Sequence, residues 1–202
     1  MQVIKVEPVT FASNTYILTE DNRNAVVIDP SEARIAYELE RRGLVCKYVL
    51  LTHGHFDHIG GCAAMQAAGA KIGCMENERA LALGEDNMAT HFGYTMPAFS
   101  IDFSFSDGEI LQLCGMNIKV LATPGHTAGS CCFLCEGALF TGDTLFCGDI
   151  GRTDLPTGDG ETLQNSLRRL TALAEDYVLY AGHGADSTLF YERTHNPYLK
   201  SC

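Results

Sequence analysis

Basic residues are scarce and never form a run: 14 Lys and Arg face 25 Asp and Glu, a formal net charge of −11. A chain without a basic patch cannot neutralise a phosphate backbone, so a nucleic-acid partner is excluded from the reading. Long apolar runs are missing too. No segment approaches a membrane span, and Met1-Gln2-Val3-Ile4-Lys5 lacks a secretory pattern, so a cytoplasmic protein with no membrane partner is expected. There is no low-complexity segment, no linker and no visible repeat, and the 202 residues are read as one domain, 1–202. Monomer and small homo-oligomer both stay open. Paired CxxC motifs are absent as well. Nine cysteines are scattered, and the lone Cys132-x-x-Cys135 lies in a strand-like run, where packing as small hydrophobes is simpler than a zinc or redox pair. So many thiols point to a reducing compartment.

What the chain does hold is concentrated at Thr52-His53-Gly54-His55-Phe56-Asp57-His58-Ile59-Gly60-Gly61. Three imidazoles and a carboxylate follow the apolar run Tyr48-Val49-Leu50-Leu51, which is short, flanked by polar residues and reads as a buried strand. His53 and His55 are two apart, so extended chain points both the same way just past the strand. Asp57 and His58 open a helix, the carboxylate near its positive end, with Gly60 and Gly61 in the first turn allowing close approach. Neutral imidazole and carboxylate are the donors of Zn, Fe and Mn sites, so this stretch reads as a metal site.

Along the chain, 2–8, 14–19 and 25–28 read as strands, and Asp29-Pro30-Ser31-Glu32 ends the third and caps a helix over 31–42. Strand 47–51 leads into the motif, followed by a helix at 58–68, a short strand at 71–73 and a short helix at 76–83. The stretch 84–105 has no clear period, and a loop of that length reads as a functional lid. His91 and Tyr94 lie in it as candidate substrate contacts, with polar surface as the plainer reading of His91. Strands at 109–113, 117–121, 131–135 and 138–141 follow, then a helix at 160–173, a strand at 177–180 and a terminal helix from near Ser187. Two similar halves of this kind suggest an α/β protein with two sheets face to face and helices outside.

Three further loops each begin where a strand ends and each present one donor: His126 in Thr123-Pro124-Gly125-His126, Asp143 in Thr141-Gly142-Asp143-Thr144, and His183 in Ala181-Gly182-His183-Gly184. Glycine beside each donor lets the backbone turn close to an ion. This order, HxHxDH at 53–58 and then the His126, Asp143 and His183 loops, resembles the metallo-β-lactamase-fold hydrolases and, within them, the glyoxalase II-like branch. The resemblance covers the whole chain. It implies an αββα four-layer sandwich, α/β (α+β) in class, with the site at one edge between the sheets. It further implies that His53, His55 and His126 hold one metal, that Asp57, His58 and His183 hold a second, and that Asp143 bridges them. Two divalent cations, zinc first and iron or manganese as options, lie about 3.5–4 Å apart in such sites and share a water whose pKa falls towards neutrality. The resulting hydroxide attacks a carbonyl carbon while a metal stabilises the oxyanion. Asp57 is then the catalytic residue that also orients the nucleophile. Thr123, Thr127 and Thr144 read either as hydrogen-bond partners orienting the ligands or as residues fixing their own turns.

The implied partner is a small-molecule thioester of the hydroxyacylglutathione type. Glyoxalase II-type enzymes add a helical domain that grips glutathione, and this chain, ending at Cys202, is expected to lack it. Arg152 falls where the family places a basic residue for the thiol's carboxylate, and it reads equally as an ion pair with Asp154. The family's tyrosine after the last histidine is replaced by Gly184-Ala185-Asp186, which separates thioester hydrolysis from glutathione recognition. The stretches Gly151-Arg152-Thr153-Asp154-Leu155-Pro156 and Asn196-Pro197-Tyr198-Leu199 are similar to short single-domain hydroxyacylglutathione hydrolase-like relatives. Two other classes stay open: a persulfide dioxygenase using a single iron, and a catalytically silent metal-binding protein.

Overall fold

A computed structural model describes residues 1–10 and 12–200. The first sheet orders β1 (Gln2–Val6), β2 (Thr15–Thr19), β3 (Asn24–Ile28), β4 (Val45–Leu50), β5 (Lys71–Met75) and β6 (Phe103–Phe105) side by side. Antiparallel pairing holds from β1 to β3 and parallel pairing from β3 to β6. The second sheet runs β14 (Ser187–Thr188), β13 (Val178–Ala181), β10 (Ala138–Gly142), β9 (Cys131–Cys135), β8 (Met116–Ala122), β7 (Ile110–Leu113). Between β10 and β13 lies a small hairpin of β11 (Leu145–Phe146) and β12 (Asp149–Ile150).

Side-chain alternation along the strands builds four layers. In β2, β3 and β4 the residues Tyr16, Leu18, Val26, Ile28 and Leu50 meet Ile118, Val120, Phe133 and Phe140 of the facing sheet. Their neighbours Ile17, Val27 and Val49 point the other way, against Ile35 and Leu39 of α1 (Ile35–Arg41) and Cys62 and Met65 of α3 (Cys62–Ala67). On the second sheet Cys132 and Leu139 turn outward to Leu163, Leu167 and Leu170 of α5 (Gly160–Thr171) and Leu189 of α6 (Leu189–His195). Strands covered on both faces need apolar residues at successive positions, which is why runs such as Cys131–Cys135 and Ala138–Gly142 show little polar alternation. The arrangement is the αββα sandwich. Asp159 starts α5 by accepting a hydrogen bond from the Thr162 N–H at 2.7 Å. Among the described residues no helix is long and apolar enough to cross a membrane.

Several elements depart from their sequence reading, for local reasons. The helix read over 58–68 is two short ones, α2 (Phe56–Ile59) and α3, parted at Gly60 and Gly61. There the chain presses on the segment after β3: the Gly61 N–H donates to the Pro30 carbonyl at 2.6 Å, and a Cβ on Gly60 would lie 2.3 Å from the Ser31 carbonyl oxygen. The helix read over 31–42 starts only at Ile35, because Ser31 and Asp29 are not spent on capping it. Thr15 Oγ1 donates to the Asp29 carbonyl and sits 3.1 Å from Ser31 Oγ, tying β2 to the end of β3. The terminal helix begins at Leu189, with Thr188 as its cap, and Ser187 belongs to β14. Residues 84–105 end in β6, and the β11–β12 hairpin carries strands too short to leave a periodic signal.

The cysteines pack as core, and Cys202 lies outside the described residues. Cys46, Cys62, Cys74, Cys131, Cys132 and Cys135 are buried and free. Cys132 faces α5 while Cys135 faces the opposite sheet, so the CxxC pair points to opposite sides of one strand and cannot converge. Burial pushes the thiols of Cys46 and Cys74 up to about 12 and those of Cys132 and Cys135 to about 11. Cys147 alone among the described cysteines is exposed, at the tip of the β11–β12 hairpin. Alkylation at pH 8 followed by peptide mapping is therefore expected to modify Cys147 in the native protein, and the six buried thiols only after denaturation. Rapid labelling of Cys131 or Cys132 in the native state would contradict this packing.

Candidate metal centre

Every donor loop leaves the C-terminal end of a strand. β8 and β13 run in the same direction as β10, and β3 in the same direction as β4, so the loops gather at one edge of the sandwich. After β4 come His53 and His55, then Asp57 and His58 in α2; after β8 comes His126; after β10, Asp143; after β13, His183. The seven side chains meet there. His53, His55 and His126 form one group whose ring nitrogens lie within 4.8 Å of one another, Asp57, His58 and His183 form another, and Asp143 groups with His53 and His58. The Asp143 carboxylate reaches both sides: Oδ1 is 3.2 Å from His58 Nε2, while Oδ2 is 3.6 Å from His126 Nε2 and 3.5 Å from His183 Nε2. Asp57 Oδ2 is 3.2 Å from His183 Nε2. Two glycines make this approach possible. A Cβ on Gly182 would lie 2.3 Å from Asp143 Oδ1, and one on Gly142, whose φ is +49°, would lie 2.3 Å from Thr52 Oγ1.

The imidazoles are turned by fixed acceptors. His58 Nδ1 donates to Asp29 Oδ2 at 2.9 Å, and Thr52 donates to the same carboxylate through its N–H at 2.8 Å and its hydroxyl at 2.6 Å. The Thr52 hydroxyl then accepts from His53 Nδ1 at 3.1 Å. His126 Nδ1 donates to the Arg152 carbonyl at 2.8 Å. Each of these bonds fixes a tautomer whose Nε2 lone pair points into the cluster. Left over are buried atoms with no hydrogen-bond partner: His53 Nε2, His55 Nε2, His58 Nε2 and Asp143 Oδ1. Two imidazole nitrogens, His55 Nδ1 and His126 Nε2, also face each other at 2.9 Å. Buried imidazole nitrogens and a carboxylate oxygen left without partners in one cluster are what a divalent cation satisfies, so the donor set fits metal ions.

Charge divides the cluster in two. Burial, reinforced by the neighbouring imidazoles, drives the pKa of His53 well below 6.5 and that of His55 down to about 4, so both are neutral and ready to ligate. Burial opposes charge on His58 too, yet Asp143, Asp57 and Asp29 outweigh it and hold its pKa well above 6.5. Against its own burial, Asp143 is kept well below the carboxylate range by His58, His183 and His126.

Two carboxylates here escaped the sequence reading. Asp29 looked like a strand end and helix cap, and instead orients Thr52 and His58. Glu78, in the turn before α4 (Arg79–Leu83), is 1% exposed and joins two donor loops. It accepts from the Gly54 N–H at 2.8 Å, the Gly129 N–H at 2.8 Å and the Thr127 hydroxyl at 2.9 Å. Thr127 therefore serves Glu78, while Thr123 and Thr144 bond to each other at 2.9 Å, and none of the three hydrogen-bonds a site imidazole. Of the two readings left open for these threonines, the structure matches the fixing of their own loops.

A cavity of about 1030 Å³ opens over the cluster, and Tyr94 and Arg152 line it. His91 does not: it is exposed and packs edge-on against Phe92 at 5.1 Å, so the substrate role read for it is not supported by its position. The Arg152 guanidinium makes two hydrogen bonds to Asp154, at 2.6 and 2.8 Å, in an exposed pair. Sequence reading missed that Phe56 and Phe92 line this cavity together, and that Phe146 and Ile150 of the β11–β12 hairpin line it too. That hairpin is held from behind by Glu192, which accepts from the Gly148 N–H at 2.8 Å, and by Asn196, which donates to the Asp149 carbonyl at 3.1 Å.

Glu78→Gln provides a test of the staple between the loops. An amide presents one acceptor where the carboxylate presented two, leaving a loop N–H or hydroxyl unpaired. The variant is expected to lose about 1–3 kcal/mol of stability. It is also expected to bind metal more weakly, while Glu76→Gln on the exposed side of the same turn changes neither. Equal unfolding midpoints and equal metal affinity for Glu78→Gln and the parent would contradict the role given to Glu78.

Comparison with known proteins agrees with this geometry. A family model described as the metallo-beta-lactamase superfamily matches residues 8–183. A Haemophilus influenzae protein named hydroxyacylglutathione hydrolase GloC is 43% identical over 210 residues, covering 98% of both chains. Among solved structures, the BLEG-1 B3 metallo-beta-lactamase superposes with a TM-score of 0.89 at 32% identity, over 98% of this chain and 99% of that one. TTHA1623, solved in a di-iron-bound form, gives a TM-score of 0.85 at 30% identity, over 98% of this chain and 100% of that one. By family model, by relatives and by fold, this chain belongs to the metallo-beta-lactamase superfamily.

Proposed function

We propose that this metal-dependent hydrolase cleaves thioesters of the hydroxyacylglutathione type with two divalent cations. His53, His55 and His126 would hold one, Asp57, His58 and His183 the other, and Asp143 both. The observation that carries the reading is the set of unpartnered buried donor atoms, with one carboxylate, Asp143, reaching towards both groups. When bound, such cations act as Lewis acids and bring a water to ionise near neutral pH. Zinc suits this imidazole-rich set, and iron and manganese are accepted by the same donors. The name of the 43% identical relative supports the substrate type, and the di-iron form of the 30% identical structure supports a two-metal centre.

The chain's own residues supply the rest. Asp57 lines the cavity and is drawn below the ordinary carboxylate range by His58 and His183 despite its burial. It therefore remains a hydrogen-bond acceptor at neutral pH, placed to orient the attacking water. Asp29 and Thr52 hold His58 and His53 in their working tautomers.

The test is thiol release and oxygen uptake measured together on metal-loaded protein with S-lactoylglutathione. Thiol release without oxygen consumption is expected. Oxygen consumption with a persulfide substrate would replace the proposal with an iron dioxygenase, and neither activity would point to a silent metal-binding protein. Asp143→Ala is expected to lower turnover by more than about 100-fold, beyond what loss of a partner to a ligand costs. It is also expected to release both metals, whereas His183→Ala keeps the first. An Asp143→Ala protein with both metals and full turnover would sink the ligand assignment.

A further inference from the structure

Three aromatic rings stand on one side of the centre. Phe56, between the donors His55 and Asp57, stacks with Phe92 at 5.3 Å and 28° and with Tyr94 at 5.0 Å and 27°. All three line the cavity, yet Phe92 is 51% and Tyr94 46% exposed. Single exposed rings are ordinary, but a contiguous stack of three beside a cavity is the kind of apolar patch that marks a binding site. The hairpin adds Phe146 and Ile150 to the same lining, so a planar group entering the cavity meets further apolar surface besides the ring stack.

Charge in the lining points the same way. Its acids are Asp57, Asp143 and Asp149, and its one Lys or Arg is Arg152, whose guanidinium is spent on Asp154. Outside the metal centre, an acyl group bearing a carboxylate or phosphate therefore finds among the described lining residues only a guanidinium already paired with Asp154. Phe56 is the sequence neighbour of the donors His55 and Asp57 and lines the same cavity, so the ring stack adjoins the part of the cavity that receives the reacting carbonyl and its acyl group.

We infer that the acyl half of the substrate is aromatic: a thioester whose carbonyl carries an uncharged aryl group one or two carbons away, seated on Phe56, Phe92 and Tyr94. This rests on the thioesterase reading above and narrows it. In the reaction, water's oxygen joins the acyl carbon, the C–S bond breaks with its electron pair leaving on sulfur, and the thiol takes up a proton. The products are an aromatic carboxylic acid and a free thiol. Aromatic stacking adds to plain burial of the ring, so exchanging methyl for phenyl is worth about tenfold in kcat/KM.

A matched pair isolates the effect: S-mandeloylglutathione and S-lactoylglutathione differ only by phenyl for methyl, so how the thiol is held cancels in their ratio. With two metals bound, kcat/KM is expected to favour the mandeloyl ester by about tenfold or more. Phe92→Ala/Tyr94→Ala is expected to bring that ratio within about twofold, most of the change appearing in KM. Calorimetry on metal-free protein gives a readout independent of turnover: the S-(2-phenylethyl) thioether of glutathione binds the parent at least about tenfold more tightly than the double variant. A ratio at or below one, or a preference unchanged in the double variant, overturns the aromatic assignment while leaving thioester hydrolysis standing. Loss of the fold in the double variant is excluded by an unchanged circular dichroism spectrum, and Phe92→Leu/Tyr94→Leu repeats the test with apolar volume kept. Hydrolysis of neither ester by fully loaded protein overturns the thioesterase reading itself, and this inference with it.

Discussion

Buried imidazoles cannot turn to water for a partner, and the whole edge of this sandwich is arranged around that constraint. One carboxylate, Asp29, accepts from His58 directly and from the Thr52 hydroxyl, which in turn accepts from His53. A backbone carbonyl, that of Arg152, does the same for His126. These bonds leave the Nε2 atoms of His53 and His58 bare and inward. A buried polar atom left unpaired costs about 1–3 kcal/mol, so several in one cluster are tolerated only where an occupant completes them. The cluster is built for ions.

The sheets make this arrangement rigid. Asp29 ends β3 and Thr52 follows β4, its parallel neighbour, so the hydrogen bonds between them are set by strand register. Across the sandwich, β10 and β13 are parallel neighbours in the same way and deliver Asp143 and His183. Glu78 then ties the His53–His55 loop to the His126 loop, one from each sheet. The cavity rim stands outside this frame, formed by irregular chain around Phe92 and Tyr94 and by the small β11–β12 hairpin. Loops on a rigid scaffold are where binding specificity is generally carried.

The donors were legible because their chemistry is dense in sequence: three histidines and an aspartate within six residues, and a glycine beside each later donor. Layering was legible because strands buried on both faces give short apolar runs. Asp29 was not, since an acid before proline and serine is also the usual prelude to a helix, and only the partners across β3 and β4 decide its use. Glu78 gave no signal, because an acid in a polar turn looks solvated until two loops from elsewhere bring their N–H groups to it. Phe56 and Phe92 were invisible as a pair for a similar reason: 36 positions separate their numbers, and their stacking exists only in the folded chain. Arg152 was read both ways, as carboxylate receptor and as ion pair with Asp154, and its side chain makes the pair while its carbonyl serves the centre.

One measurement bears most directly on the central claim: elemental analysis of metal per chain, on protein purified without added metal or chelator. The account predicts about two transition-metal ions per chain, bound by the two groups that share Asp143. A single iron beside an empty second group would contradict the two-metal centre. Failure to take up any metal, even after dialysis against zinc, iron or manganese, would contradict the account altogether.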